Sequence, residues 1–294
     1  MALYYYINTG HRVGLDRLRR SAPIINALEG EGIEVRMLTN DFRAGEYAKE
    51  HFGIRRYVSV DVVRNIANIA TPADSIVFDS AEESRRIWED MANYFRTFIR
   101  ISDNPNDAPL SKEILISSMK SVDGAPLADV VDRRYFDQME HSDEMIYFWG
   151  DADYDRRLLS LSEAFRGLDI ALLEGYYFFM QYSDELAVNF KKAIDSEEYD
   201  NALKGAGKFF TSSPQSALEA LAAGSSPVYI KKPDASDVWD EKMRGYNIPI
   251  IENFEKNSIE KMANETVDTY DRKKLKKDAA NTISRYILHK MAGV

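Results

Sequence analysis

Three observations predict an α/β protein built from two doubly wound domains facing a cleft. Apolar, strand-like runs alternate with segments of helical periodicity, and the alternation restarts midway along the chain. At 294 residues, the chain is also long enough for two ordinary domains. Strands that alternate with helices form parallel sheets covered on both faces.

The elements follow in order. The run "ALYYYINT" is apolar and aromatic and reads as a first strand. From Asp16, the residues Leu18, Ala22, Ile25 and Leu28 recur at helical spacing, "GEGI" stops the helix, and "IEVRML" resumes an extended run. This is a right-handed βαβ unit. A helix over Ala44 to Phe52, the strand "RRYVSV", a helix near Val62 to Ile69, the strand "DSIVFDS" and a helix from Ala81 to Phe95 come next, followed by the strand-like "TFIRISDN" and "EILISSM". Pro109, Pro126 and "VDGAP" then interrupt regular structure, and the acidic "DQMEHSDE" leads into a fresh strand, "MIYFWG". The first domain is therefore expected over 1–139 and the second over 140–258. In the second, a helix from Asp155 to Phe165, the strand "DIALLEG", a helix from Glu185 to Ala193, the strand "GKFFTS", a helix starting at "SSPQS" and the strand "SPVYI" repeat the plan. Over 259–294, Ile259, Met262, Val267, Tyr270, Leu275, Ala279, Ile283 and Ile287 are spaced for one or two amphipathic helices, the last expected to return to the first domain. The basic "DRKKLKK" within it reads as a solvated face.

Composition narrows the chemistry. The chain is 45% hydrophobic, without an apolar run approaching the roughly 20 residues of a membrane span, and its opening segment reads as a strand rather than a signal peptide. A cytoplasmic location is expected. The absence of cysteine removes disulfides, thiolate nucleophiles and cysteine-ligated metals, and a net charge of -10 argues against nucleic acid as partner. Walker A, Gly-x-Gly-x-x-Gly and Gly-x-Ser-x-Gly motifs are missing, which demotes triphosphatases, simple dehydrogenases and serine hydrolases. A small-molecule ligand handled without cofactor or metal is expected.

In doubly wound folds ligands bind beyond the carboxyl ends of the strands, so strand-to-helix turns carry the candidates. In "FFTSSPQSALEALAAGSSPVYI", Ser213 is placed to cap a helix, Pro214 to open it and Gly224 to stop it. Ser212, Ser213, Gln215 and Ser216 then form a neutral anion cradle with the free amides of the helix start. Glu219, one turn beyond Gln215, suits the two hydroxyls of a ribose, although a plain capped helix with a solvated glutamate fits the same spacing. In "NTGHRVGLDRLRR", Gly10 and Gly14 permit a tight loop, His11 is a candidate acid or base or simply a polar loop residue without a function, and Arg12, Arg17, Arg19 and Arg20 offer phosphate contacts or a solvated face. In "WGDADYDRR", Gly150 permits close backbone approach, Asp151 and Asp155 can hold hydroxyls or cap the next helix, and capping is preferred for Asp153. The run lacks the Gly and Glu of a calcium loop. Asp79 and Asp103 end two strands of the first domain, where each can act as general base or accept a sugar hydroxyl; N-capping accounts equally for Asp79.

Together these residues resemble the GT-B superfamily of Rossmann-like pairs. Within it they are similar to the hydrolases that cleave UDP-2,4-diacetamido-2,4,6-trideoxy-β-L-altropyranose in pseudaminic acid synthesis. The resemblance runs from the first strand to "RGYNIPII" and is carried by "SSPQSALEALAAGSSPVYI" and by the aspartate-ending strands at Asp79 and Asp103. It implies a diphosphate at Ser212, Ser213, Gln215 and Ser216, and a ribose at Glu219. That family's first loop reads Gly-x-Gly-His-x-x-Arg. Aligned through Arg20 and Leu28, its first glycine falls on Gly14, its second on Asp16 and its histidine on Arg17, while His11 lies outside the register. "WGDAD" keeps only part of the family's Gly-Gly-Ser/Thr-Asp turn, and "KKPDASD" replaces an Asn-Gln pair. The implied activity is metal-independent cleavage of the bond between anomeric carbon and diphosphate, with His11 or Asp79 as base. A glycosyltransferase using the same donor site and a non-catalytic nucleotide-sugar or carbohydrate-binding protein are the alternatives.

Overall fold

Leu3–Ile7 (β1) is apolar and buried at every position, as befits a strand in the middle of a parallel sheet. The computed structural model describes residues 2–81, 84–137, 140–178, 182–267 and 269–293. The chain divides into two units. The first takes in the chain up to Gly10, Arg17–Asp132 and the chain from Lys276, and the second takes in His11–Asp16 and Arg133–Leu275. The expected boundary at 139 lies outside the described residues.

In the first unit, Asp16–Gly30 (α1, whose first residue, Asp16, groups with the second unit), Val35–Thr39 (β2), Phe42–Phe52 (α2), Tyr57–Ser59 (β3), Ser75–Asp79 (β4), Arg85–Tyr94 (α3), Thr97–Ser102 (β5) and Glu113–Ser117 (β6) follow β1. The six strands run in the order β3-β2-β1-β4-β5-β6. All neighbours are parallel, with Ile7 opposite Asp79 and Asp79 opposite Ile101. That order reverses between β1 and β4, the place where doubly wound sheets receive ligands. One face of the sheet is packed by Tyr6, Phe78 and Phe98, with the first two rings stacked at 4.9 Å. The helix expected near Val62 is a 3-10 helix, Val63–Asn68, of which only Ile66 is buried. So short a segment with one anchoring side chain gains too little to nucleate an α-helix.

In the second unit come Met145–Phe148 (β7), Arg157–Leu161 (α4), Ile170–Leu173 (β8), Ser183–Ala187 (α5), Ala193–Ile194 (β9), Tyr199–Gly205 (α6), Lys208–Thr211 (β10), Pro214–Ala223 (α7), Ser226–Ile230 (β11), Val238–Gly245 (α8), Ile250–Ile251 (β12) and Lys256–Asn264 (α9). The order β12-β11-β10-β7-β8-β9 repeats the first sheet strand for strand, again all parallel. Tyr147, Phe165, Phe190 and Phe254 fill the core. The helix expected over Glu185 to Ala193 is α5, which is earlier and shorter, and Ala193 instead begins the edge strand β9. The last helix, Ala279–Ala292 (α10), belongs to the first unit, where Ile283 and Ile287 are buried and the helix neighbours β5.

Candidate functional site

The second unit's sheet reverses order between β7 and β10, and the loops leaving those strands build a cavity of about 200 Å³. Arg12, Gly14, Asp16, Gly150, Asp151, Ser212, Ser213, Tyr229, Lys232 and Trp239 are among its lining residues. Gly150 follows β7 with φ +120°, and a Cβ there would stand 3.3 Å from Lys232 Nζ and 3.9 Å from Ser213 Cβ. Glycine at this place therefore makes room for the ammonium.

The local grammar of α7 is as its sequence indicates. Ser213 is an extended N-cap whose hydroxyl accepts the Ser216 amide at 3.1 Å, Pro214 opens the helix, and Gly224 ends it with φ +93°. The cradle is buried and internally bonded. Tyr147 and Ser212 hydroxyls lie 3.0 Å apart, and Ser213 Oγ donates to Asp16 Oδ1 at 2.8 Å. Ser216 Oγ lies 2.8 Å from Ser213 Oγ and 2.7 Å from the Tyr199 hydroxyl. Glu219, 1% exposed, accepts from Tyr199 at 2.6 Å and from Gln215 Nε2 at 3.0 Å, and neither Glu219 nor Gln215 lines the cavity.

Lys232 supplies the cavity's ammonium, 4.4 Å from the centre of the Trp149 ring. Burial lowers its pKa below 10.5, opposed by the charges of Asp16, Asp153, Asp234 and Asp151. Its neighbour Lys231 pairs instead with Asp240 at 2.6 Å. Lys232 escaped sequence reasoning. The position just past β11, a carboxyl end of the same sheet, was the available signal.

His11 and Arg12 belong to this unit. The His11 side is exposed, its ring 5.5 Å from that of Tyr154 and 6.4 Å from that of Tyr177, while the Arg12 guanidinium stacks over Tyr154 at 4.5 Å. Asp153 is a capping residue, accepting the amides of Arg157 and Leu158 at 3.0 and 2.9 Å as well as the Tyr182 hydroxyl.

The other site residues expected from the sequence lie in the first unit. Asp79 is fully buried at the end of β4. Arg20 Nε donates to its Oδ2 at 3.1 Å, Arg20 Nη2 to its Oδ1 at 2.6 Å, and Ser21 Oγ to its Oδ2 at 2.9 Å. Arg17 Nε stands 3.7 Å away, an ionic contact beyond hydrogen-bond reach. Asp103 takes Arg20 Nη1 at 2.5 Å and Ser118 Oγ at 2.6 Å. Asp79 and Asp103 are thus brought together, and Arg20 is what joins them. Burial opposes the Arg20 charge, yet Asp103 and Asp79 outweigh it and hold the guanidinium's pKa far above its ordinary value. Among the described residues, no group of three or more His, Cys, Asp or Glu side chains is arranged to hold a metal ion, and no helix is long and apolar enough to cross a membrane.

No family model and no curated protein matches the chain. Its fold, however, is shared with solved structures. One is the UDP-GlcNAc 2-epimerase of Methanocaldococcus jannaschii in complex with UDP-GlcNAc and UDP, with TM-score 0.64 and 12% identity over 98% of this chain and 100% of that one. A second is MnaA of S. aureus solved with UDP, with TM-score 0.58 and 10% identity over 97% and 91% of the two chains. A third is the glycosyltransferase of kitacinnamycin, with TM-score 0.59 and 12% identity over 99% of each chain. With two six-stranded parallel sheets of matching order, the chain has the GT-B fold of two Rossmann-like domains. At these identities the likeness is one of fold.

Proposed function

We propose that this protein processes a nucleotide sugar, holding the nucleotide on its second unit and breaking the bond between anomeric carbon and diphosphate. The observation that carries the reading is the convergence of Ser212, Ser213, Gly150 and Lys232 on one cavity, at the strand-order reversal of the second sheet. It is supported by the UDP and UDP-GlcNAc held by proteins of the same fold. The start of α7 and Lys232, with Arg12 at the rim, offset the charge of the leaving UDP, and Gly14 and Gly150 let the diphosphate approach the backbone. Gln215, Ser216 and Glu219 lie along the first turns of α7. In this reading the Glu219 carboxylate takes ribose hydroxyls in exchange for the Gln215 amide.

His11, exposed between Tyr154 and Tyr177, is the base of this mechanism. It takes a proton from water as the water oxygen bonds to the anomeric carbon, and the C–O bonding pair leaves with UDP. Asp79 serves instead as the buried partner of Arg20, with Arg17 and Asp103 beside it in the same ionic cluster. The hydrolytic, pseudaminic-type reaction is the finer form of this proposal. The transferase form uses the same donor cavity and is supported by the glycosyltransferase of like fold.

The test is UDP binding by calorimetry, followed by release of UDP from a panel of UDP-sugars with and without acceptors. Release into water supports the hydrolase, and release only with an acceptor supports the transferase. His11→Gln is expected to keep UDP binding and lose release. Binding of UDP without any release assigns a non-catalytic binding protein, and failure of UDP, GDP and CMP to bind overturns the reading.

A further inference from the structure

The start of α7 already holds an anion, the carboxylate of Asp16 at 2.8 Å from Ser213 Oγ. Proton counting gives the direction of this contact. Three hydroxyls, Ser213, Ser216 and Tyr199, lie in a hydrogen-bonded row between two carboxylates, Asp16 and Glu219. Each hydroxyl has one proton, and an ionised carboxylate can only accept. The Ser213 proton therefore goes to Asp16 and the Tyr199 proton to Glu219, while the Ser216 proton points to one neighbour or the other. The lone pairs of Ser213 Oγ meanwhile face the Ser216 amide at 3.1 Å.

We propose that Asp16 sets the affinity of this cradle for phosphate: its carboxylate takes the place of a phosphoryl oxygen, and a nucleotide enters by displacing it. This rests on the nucleotide reading above. A phosphoryl oxygen at the same position receives the same Ser213 hydrogen bond and the same favourable end of the α7 dipole. The cavity's charges agree with a cradle that carries its own counter-ion. Lys232 and Arg12 line it on the positive side, Asp16 and Asp151 on the negative side. A diphosphate brings further negative charge into that balance, so it binds at full strength only once Asp16 has moved off Ser213. Asp16 is then a specificity-determining residue, which penalises highly charged ligands relative to neutral ones.

A purely structural role for Asp16 leads elsewhere. As the acidic residue in the first turn of α1, it also stabilises that helix, and its loss on that ground alone lowers thermal stability without tightening any ligand. Asp16→Asn keeps size and an acceptor oxygen while removing the charge, and Asp16→Ser is a second variant that tolerates a helix start. UDP and uridine are titrated into the full chain and both variants by calorimetry, at low and high salt. The expected result is UDP affinity raised about tenfold in the variants, with uridine affinity unchanged and the gain shrinking as salt screens the charge. UDP that binds the parent chain with equal or greater affinity than the variants overturns the Asp16 proposal and leaves the nucleotide reading standing. UDP that binds none of the three overturns both.

Discussion

Arg20 grips Asp79 through two nitrogens, Nε to Oδ2 at 3.1 Å and Nη2 to Oδ1 at 2.6 Å. The same guanidinium reaches Asp103 at 2.5 and 3.2 Å. Arg20 lies on α1, Asp79 ends β4 and Asp103 follows β5, so one side chain ties a helix to two adjacent strands. A planar fork with several fixed donors suits this task, because it can face two carboxylates at once.

Removing that side chain leaves two carboxylates without their shared cation, one of them without exposure to water. Arg20→Met is expected to cost about 3–5 kcal/mol, the usual penalty for breaking a buried ion pair from one side. Arg20→Lys is expected to restore only part, since an ammonium cannot reproduce the paired contacts with Asp79. Urea unfolding of the three proteins measures this. A loss below about 1 kcal/mol for Arg20→Met would show that the cluster is not an anchor of the first unit.

Asp74 offers a second, pH-dependent test. Its carboxylate accepts the Ala2 amide at 2.6 Å, and the Thr71 amide and hydroxyl at 2.9 Å each, pinning the start of β1 beside β4. Burial acts to raise its pKa, but these donors outweigh burial and hold it below 3.8. A carboxyl depressed in the folded state stabilises the fold above its unfolded pKa, and that contribution disappears as pH falls through the folded value. Asp74→Asn is therefore expected to lose about 1 kcal/mol near neutral pH, with the gap to the parent chain closing below pH 3.8. Urea midpoints at neutral and acid pH decide it, and an unchanged gap would exclude the charge as the cause.

Local pattern made most of the fold legible, because a parallel sheet needs unbroken apolar strands such as Leu3–Ile7 and Ile170–Leu173, and each helix start and stop leaves a local mark. The cap, proline and terminal glycine of α7 are of that kind. Asp79 and Asp103 could be placed at strand ends for the same reason, whereas the pairing of those two strands side by side emerges only from the sheet. What local pattern could not show is which side chains meet across the chain. Ser213 and Asp16 are separated by 197 positions, and Arg20 and Asp79 by 59. Nor did spacing reveal that residues 11–16 group with the second unit, or that Lys232 completes its cavity. The two-residue strand β9 is too short to carry a period, and its residues Ala193 and Ile194 fit a helical pattern equally well.

Lys232 carries the last test, because its charge and its room are set by different neighbours. The ammonium lies over Trp149 and beside the bare Cα of Gly150, which keeps it in the cavity, while burial lowers its pKa from 10.5. An anion binds the ammonium and not the amine, so affinity falls as pH rises through the pKa of the free protein. A lowered pKa brings that fall below 10.5, earlier than an exposed lysine would show it. UDP affinity, measured by calorimetry from neutral to alkaline pH, is thus expected to decline within that range. Lys232→Met is expected to weaken UDP by about tenfold to a hundredfold, the scale of one lost charge-assisted contact, and to flatten the profile. Gly150→Ala reaches the same ammonium through space alone, since a methyl at 3.3 Å and φ +120° must push the side chain aside or strain the turn. It is expected to weaken UDP while keeping the alkaline decline, because the lysine is displaced but still titrates. A Lys232→Met profile identical to that of the parent chain would place the phosphate elsewhere than in this cavity.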